Sequence, residues 1–394
     1  MSHARPVLER LLRRAENARR RGVDERVSQP MAGVGEYTTS LASLPELEAF
    51  HAEIALAERA GAIAVQRDVH RGDGAKLLRL TVADLSALAR HLGTTLLDER
   101  VAAAAQRLAP WRARFPVLDD ALAAWREGRK LRGHGPEAAE ELADAAHAVT
   151  VCADDAGHER ILRRESVRLF GDSKRLEKLT PWLELLVTGE LAASGLAKEE
   201  VWSSIGLRRE PQPLLLAGRG TLTLTDATLP LVRPFLGVPV ESLQAVASTA
   251  RCVLSIENLA SFHDAARANG AADVLLLYTG GMPSPAWRAA YVRVLCSLAP
   301  EVPVFHWGDI DEGGFRIAAT LTAAAREAGR TLQPWLMSPA ALPADALRDA
   351  EAPAPALLAA MRHWAGRAGW PQVADALARQ PVRLEQERLD PVMP

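Results

Sequence analysis

The feature that most constrains the fold is a regular alternation of strands and helices between residues 252 and 336. The segments CVLSI (252–256), DVLLLY (273–278), VPVFHW (302–307) and TLQPWL (331–336) are short and apolar, and a helical pattern follows each of the first three. Alternation of this kind predicts a parallel sheet with helices on both faces. Ligands bind such sheets at the carboxyl ends of the strands, so functional residues are expected there.

Polar residues follow each of the first three strands, at the edge where ligands are expected. They are Glu257 and Asn258 after the first strand, Gly280 and Gly281 after the second, and Asp309 and Asp311 after the third. One glutamate and two aspartates, without histidine at matching positions, suit a hard divalent cation such as Mg²⁺ better than zinc. Two alternatives stay open from the spacing alone: the acids are ordinary loop residues, and the glycines only make turns of positive φ.

The 394 residues exceed the usual size of one domain and predict a multidomain protein of mixed α/β and α+β class. Residues 1–150 contain an Arg-rich amphipathic helix from Pro6 to about Gly22, and then a helix, two strands around a glycine turn, and a helix over 44–93. That order suits a small winged-helix unit, and an all-helical stretch follows at 111–149. Residues 151–240 show two helices and then strands at 213–218 and 221–225, again a winged-helix order. Residues 241–394 form the third predicted domain.

Positive charge is concentrated at the start of the middle domain, although the formal net charge of the chain is only −2. In RILRRESVRLFGDSKRLEKL (160–179), arginines and lysines outnumber acids, and FGDSKR forms a turn before a helix, where N–H groups and cations could converge on a phosphate. The residues that we predict to contact DNA are Arg164, Arg168, Lys174 and Arg175. A plain helix cap by Asp172 or Ser173 is compatible with the same pattern.

Cysteine content and hydropathy indicate the cellular setting. Cys152, Cys252 and Cys296 are far apart and form no C-x-x-C pair, which argues against a zinc site or a disulfide framework. The N-terminus lacks an apolar signal region, and no run of about 18 apolar residues occurs. We therefore expect a soluble cytoplasmic protein, associated with the nucleoid or with plasmids and not with a membrane.

Several of these stretches resemble known families. SIENLASF (255–262), TGGMPSPAWR (279–288) and HWGDIDEGGFRI (306–317) are similar to the Toprim domain, which has a Glu after its first strand and a D-x-D after its third. Together with RRESVRLFGDSKRLE (163–177) and RLEQERLDP (383–391), they resemble the JetD family, the nuclease subunits of Wadjet plasmid-defence systems. The resemblance implies an N-terminal arm, a middle winged-helix (CAP-like) domain related to the cutting subunit of type IIB topoisomerases, and a C-terminal Toprim domain with a Rossmann-like parallel sheet.

The resemblance also implies an activity. Glu257, Asp309 and Asp311 would hold Mg²⁺ or Mn²⁺ at the scissile phosphate of double-stranded DNA, and the partner would be an SMC-type, condensin-like loop-extruding complex. The related topoisomerases attack DNA with a tyrosine of the winged-helix domain. The tyrosines of this chain are Tyr37, Tyr278 and Tyr291, none of which lies between residues 154 and 240. We therefore expect hydrolysis by metal-activated water without a covalent intermediate. Cutting two strands implies a homodimer if each site cuts one strand.

Residues around these motifs complete the predicted site. Asn258, Gly280 and Gly281 are accessory candidates. If LEQE (384–387) is extended, Glu385 and Glu387 share one side of a strand and could return to the metal edge, and solvated or salt-bridged glutamates are the alternative. We expect His306 to pack or to hydrogen-bond within the strand end, and Trp307 to lie in the core.

Two other functions compete with the nuclease. A phosphohydrolase or phosphotransferase could use a D-x-D pair on such a sheet, but aspartyl-phosphate enzymes usually carry that pair after the first strand, whereas here it follows the third. The chain could also be a non-catalytic DNA-binding clamp or scaffold whose acids are structural.

Overall fold

The protein is described here by a computed structural model that covers residues 3–22, 27–38, 43–68, 76–155, 158–210, 212–269 and 273–394. The chain forms two compact units, Met1–Ala143 and Asp144–Pro394. The division lies near the predicted boundary at residue 150. The predicted boundary at residue 240 stays a prediction.

The first unit combines helices with a small antiparallel sheet. Its helices are α1 (Ala4–Arg20), α2 (Gly35–Thr38), α3 (Leu44–Arg59), α4 (Leu85–His91), α5 (Leu97–Leu108) and α6 (Val117–Arg126), and α7 (Ala139–Asp154) starts near its end. Its strands are β1 (Ser28–Pro30), β2 (Ile63–Arg67) and β3 (Leu77–Val82), in the order β1-β3-β2. Helix α1 buries Val7, Leu8 and Leu11, as its amphipathic pattern predicts. The predicted order of elements over 44–93 is present, and its glycine turn lies outside the described residues.

The second unit begins with a helical region. Helices α8 (Leu162–Phe170), α9 (Arg175–Lys178), α10 (Thr180–Thr188) and α11 (Lys198–Ser204) lie between the short paired strands β4 (Arg160–Ile161) and β5 (Leu207–Arg208). The carboxylate of Asp172 accepts the N–H of Lys174 at 2.8 Å, and Lys174 is the residue that precedes α9. Asp172 therefore closes the turn before the helix, close to the capping role that the sequence predicts.

Two sheets follow in the second unit. The remaining strands are β6 (Leu214–Ala217), β7 (Thr221–Leu224), β8 (Thr228–Pro230), β9 (Leu236–Val238), β10 (Leu243–Ala247), β11 (Cys252–Ile256), β12 (Val274–Tyr278), β13 (Val304–Trp307) and β14 (Leu332–Pro334). The central sheet has the order β14-β13-β11-β12-β6-β9, and a three-stranded sheet has the order β10-β7-β8. Both sheets contribute to one hydrophobic core.

The parallel arrangement predicted from the strand–helix alternation is confirmed for β11 to β14, which pair in parallel. Two strands from outside that stretch join the sheet in the other direction: β6 pairs antiparallel with β12, and β9 antiparallel with β6. These two strands cover the edge of β12 that would otherwise present unpaired backbone groups. Antiparallel pairing also needs no crossover helix.

The strands predicted as one wing, 213–218 and 221–225, belong to different sheets. Strand β6 joins the central sheet, whereas β7 lies between β10 and β8. Leu214, Leu216 and Leu222 are all buried in the same core. Burial against this core therefore decides how β6 and β7 pair. An alternating sequence pattern alone does not show with which strand each of them pairs.

Helices pack around the central sheet. They are α12 (Leu259–Ala268), α13 (Pro285–Ser297), α14 (Glu312–Glu327), α15 (Ala344–Asp349), α16 (Pro355–Arg367) and α17 (Pro371–Arg379). The chain then returns to the sheet edge and ends near a single 3-10 turn at Gln386–Arg388. In the described part of the chain, no helix is long and apolar enough to cross a membrane.

Candidate metal centre

Glu257 lies at the carboxyl end of the central strand β11. Its backbone N–H donates to the carbonyl oxygen of Trp307 at 3.1 Å, which continues the pairing of β11 with β13 by one residue. Its carboxylate Oε2 accepts the backbone N–H of Asp309 at 3.2 Å. The first and third strand ends therefore meet as predicted, and Glu257 is in direct contact with the D-x-D segment.

Asp309 and Asp311 have different environments although they are only two residues apart. The Oδ1 atom of Asp311 accepts the N–H of Gly314 at 2.8 Å and caps the N-terminus of α14. A Cβ atom at Gly314 would lie 2.2 Å from the carbonyl oxygen of Asp309, so only glycine fits at this close approach. The capping interpretation is therefore correct for one oxygen of Asp311, and its second oxygen has no hydrogen bond to a described residue.

The C-terminal segment returns to this edge by pairing with the D-x-D segment. The N–H of Ile310 donates to the carbonyl oxygen of Leu384 at 2.9 Å, and the reverse bond measures 3.3 Å. Residues 386–388 then form a 3-10 turn, so the extended conformation on which the prediction for Glu385 and Glu387 was conditional does not continue through LEQE. Glu385 and Glu387 nevertheless reach the metal edge, because the turn brings both carboxylates to one side.

Gln386 joins the three segments of the site and is buried. Its backbone N–H donates to Oδ1 of Asp309 at 2.7 Å, and its side-chain amide donates to the carbonyl oxygen of Trp307 at 3.0 Å. Its amide oxygen accepts the N–H of Asn258 at 2.8 Å. The adjacent acids suggested this segment in the sequence, but nothing there singled out Gln386.

Asn258 holds the start of α12 and also contacts the C-terminal segment. Its Oδ1 atom accepts the N–H groups of Ala260 and Ser261, at 2.8 and 3.3 Å. Its amide group donates to the carboxylate of Glu387. The predicted accessory role of Asn258 therefore has a structural counterpart, the orientation of an acid at the metal edge.

The acids converge on a small volume. Carboxylate oxygens of Asp309, Glu385 and Glu387 lie within 4.8 Å of one another, a spacing at which three side chains could share one cation. Glu257 adjoins the same cluster through Asp309. Within the described residues, none of Glu257, Asp309, Asp311 and Glu387 forms an ion pair, whereas Glu385 contacts Arg383 at 3.3 Å.

Burial and mutual repulsion shift the pKa values of these acids upward. Burial, followed by the charges of Asp311, Glu385 and Glu387, raises the pKa of Asp309 to about 7, against the lowering effect of the Gln386 N–H. Burial first, and the charge of Asp309 second, raise the pKa of Glu257 well above its ordinary value. The protein thus brings together more negative charge than its own cations neutralise.

Two further residues contribute to the electrostatics of this edge and were missed from the sequence. Glu200, in α11, has a pKa raised by burial, and its charge raises the pKa of Glu257 in turn. Burial also raises the pKa of Tyr278, at the end of β12. The residues AKEEVW (197–202) read only as the start of a helix, so no local signal pointed to Glu200.

The glycines and the strand-end aromatics follow the simpler interpretations. Gly280 and Gly281 have φ values of 69° and 75°, which a turn after β12 requires. His306 is buried, with Nδ1 3.0 Å from the hydroxyl of Ser255, and Trp307 is buried in the core. The predictions for both aromatic residues are confirmed.

The predicted DNA-contacting residues lie on α8, on α9 and in the turn between them. Arg175 donates to Asp144 at 2.7 Å, and Arg168 donates to Glu165 at 2.9 Å, so both guanidinium groups are engaged in ion pairs. Arg164 and Lys174 are exposed. Their assignment to DNA stays a prediction.

Comparison with known proteins agrees with the resemblance. Residues 214–393 match the family described as "Wadjet protein JetD, C-terminal". The match begins at the first residue of β6 and contains all six strands of the central sheet together with every acid of the D-x-D and LEQE segments. The chain is also similar to the Wadjet protein JetD of Bacillus cereus (strain Q1), with 24% identity over 164 residues that cover 39% of this chain and 39% of that relative. The C-terminal part of the chain, residues 214–393, is therefore similar to the C-terminal region of the Wadjet protein JetD.

Proposed function

We propose that this protein is a metal-dependent endonuclease that cleaves double-stranded plasmid DNA as the nuclease subunit of an SMC-type Wadjet complex. The observation that carries the proposal is the convergence of Asp309, Glu385 and Glu387 within 4.8 Å, beside Glu257 and Asp311, at the carboxyl edge of a sheet. The similarity of residues 214–393 to the C-terminal region of the Wadjet protein JetD supports a role in Wadjet defence.

The residues fit a hard divalent cation. All candidate ligands are carboxylate oxygens, the ligand type that Mg²⁺ and Mn²⁺ prefer. The raised pKa values of Asp309 and Glu257 reflect negative charge that a cation would compensate. Glu257, Asp309 and Asp311 would hold the ion with the participation of Glu385 and Glu387. A cation bound there supplies Lewis-acid polarisation of the phosphoryl oxygen and activation of the attacking water.

The protein's own groups keep these ligands in place before DNA binds. Gln386 orients Asp309 through its backbone N–H, and Asn258 orients Glu387 through its amide. One oxygen of the Asp311 carboxylate caps α14, and the other oxygen is left to bind the cation. Preorganised ligands of this kind avoid a reorganisation cost during the reaction.

Hydrolysis without a covalent intermediate follows from the distribution of tyrosines, none of which lies between residues 154 and 240. Tyr278 lies at the same sheet edge as the acids, but its raised pKa keeps the phenol protonated and therefore a poor nucleophile. We also propose a homodimer, which follows if each site cuts one strand. A protein that sedimentation equilibrium shows to be a monomer under the cleavage conditions would argue against it.

A plasmid-cleavage assay with charge-removing variants tests the function. Supercoiled plasmid is incubated with the full-length protein, its partner complex and Mn²⁺. Glu257→Gln, Asp309→Asn and Asp311→Asn should each reduce cleavage at least a hundredfold and leave DNA binding nearly intact. Asp311→Asn is the sharpest variant, because asparagine caps a helix as well as aspartate does and only the charge is lost.

The matched control is Asp375→Asn, which removes an exposed carboxylate from α17. This control should cleave like the unmodified protein, and EDTA should stop both. Full cleavage by Asp309→Asn or Asp311→Asn would refute the metal-site proposal, and DNA binding by the unmodified protein without any cleavage would favour the non-catalytic DNA-binding clamp.

A further inference from the structure

A second, separate feature of this unit is a cavity of about 600 Å³ next to the acid cluster. Helices α13, α14 and α16 form its walls together with residues 187–196. Glu312, which follows Asp311 and starts α14, lies in the lining. Cavities of about 300 to 1,000 Å³ are the usual size for small-ligand sites in proteins.

Arginines dominate the charge of this cavity. Arg288, Arg316 and Arg367 line it, against the two acids Glu190 and Glu312. Glu312 is paired with Arg316 on the same helix face, and Glu190 is exposed. The cavity wall therefore carries an excess of positive charge that its own acids do not neutralise.

Arg316 is the most constrained of the three. The residue is only 7% exposed, its guanidinium stacks on Trp364 at 5.0 Å, and one Nη group donates to the carbonyl oxygen of Ser194 at 3.2 Å. Its Nε atom is buried and has no hydrogen-bond partner among the described residues. A buried donor without a partner costs stability unless a ligand supplies the acceptor.

Arg288 adds a second available donor. It lies near the N-terminus of α13, is half-buried, and its guanidinium makes no hydrogen bond or ion pair within the described part of the chain. Arg367, at the C-terminal end of α16, is exposed at the cavity rim. Guanidinium groups on three helices thus face one space, and their forked N–H groups match the geometry of phosphate oxygens.

We infer that this cavity binds a phosphate group. The phosphate could belong to a DNA strand passing the neighbouring acids or to a free nucleotide, and both present the same oxygens to the arginines. The inference rests on the cavity alone and does not require that the acids cleave DNA.

Binding titrations on the full-length protein, in EDTA and at one fixed salt concentration, test the inference. The probes are inorganic phosphate, dAMP and a short DNA duplex. The variants are the double substitution Arg288→Gln with Arg367→Gln, and Arg367→Gln alone, which changes an exposed residue and should leave folding intact. Arg379→Gln is the matched control, because this exposed arginine on α17 lies outside the cavity.

We expect phosphate and dAMP to bind the unmodified protein, to bind the double variant at least tenfold more weakly, and to bind Arg379→Gln normally. Weaker duplex binding by the double variant identifies the DNA backbone as the source, and unchanged duplex binding identifies a free nucleotide. Equal affinities in all variants, or no binding of phosphate and dAMP to the unmodified protein, would overturn the inference.

Discussion

At the scale of one residue, Asp309 shows how burial and neighbouring acids act on one carboxylate. Its carboxylate accepts the N–H of Gln386 and shares a small volume with Glu385 and Glu387, and its backbone N–H donates to the carboxylate of Glu257. The negative charge of each neighbouring acid makes the ionised form of Asp309 less favourable. Without a cation, the folded protein therefore binds a proton at this position more tightly than the unfolded chain does.

A pH-dependent stability of the metal-free protein follows from this shift. The pKa of Asp309 is raised from 3.8 to about 7, so between these values the folded state holds a proton that the unfolded state has lost. The free energy of unfolding should therefore fall as the pH rises from about 4 to 7. Denaturant titrations in EDTA across this range measure it, and Asp309→Asn should flatten the decline.

Mn²⁺ should oppose this loss of stability at higher pH, because the ion and the proton compete for the same carboxylate oxygens. The ion should raise the melting temperature more at pH 8 than at pH 6, and the gain should be absent in Asp309→Asn. Parallel pH profiles for the variant and the unmodified protein would contradict the assignment of the raised pKa to Asp309.

At the scale of elements, the C-terminal segment acts as part of the sheet edge although it contains no regular strand. The bridge between Ile310 and Leu384 fixes its position, and Gln386 connects it to β11 and β13. Helix α8 and the turn after it form a different, basic element. Arg168 is paired with Glu165 there, and Arg164 and Lys174 are exposed.

Replacing Gln386 by methionine should destabilise the second unit and disturb the site. The change keeps most of the side-chain volume but removes the acceptor of the part-buried Asn258 N–H and the buried bond to the Trp307 carbonyl oxygen, a loss of about 1 to 3 kcal/mol. Urea unfolding measures the change, with Gln372→Met, at an exposed position of α17, as its control. Equal unfolding midpoints for both variants would show that Gln386 does not hold the segments together.

The basic element is expected to contribute to DNA affinity through its exposed cations. Replacing Arg164 and Lys174 together by alanine should lower the slope of log affinity against log salt by about two units, one for each lost phosphate contact. Arg175→Ala should also cost stability, since it leaves Asp144 unpaired. If the salt slope of the double variant equals that of the unmodified protein, Arg164 and Lys174 do not contact DNA phosphates.

At the scale of the whole molecule, the proposed cleavage would need two acid clusters if each cluster cuts one strand, and the proposed hydrolysis needs no protein nucleophile. Cleavage reactions that are denatured and probed for labelled DNA should therefore show no DNA retained on protein. Tyr278→Phe should cleave normally, because the phenol only borders the site. A DNA–protein adduct that forms with the unmodified protein and is absent with Tyr278→Phe would show that cleavage proceeds by transesterification and not by hydrolysis.

Much of the C-terminal fold could be predicted from local patterns. The apolar runs that became β11, β12 and β13 end at the predicted residues, and the run that became β14 ends two residues before its predicted end. Glu257, Asp309 and Asp311 were predictable for the same reason, since strand ends in a parallel sheet meet at one edge. The middle region was less predictable, because β6 and β7 found partners in separate sheets that no hairpin pattern indicated.

By itself, the sequence determined the strand–helix alternation, the position of the acids relative to each strand and the absence of tyrosine between residues 154 and 240. These are properties of neighbouring residues, and periodicity and spacing record them directly. Only the tertiary structure decided that Gln386 holds the site together, that Glu200 acts on Glu257, and that Asp309 has a pKa of about 7. Such properties depend on burial and on groups up to 129 positions apart in the chain, as Asn258 and Glu387 are. Distances of this kind exist only after the chain has folded.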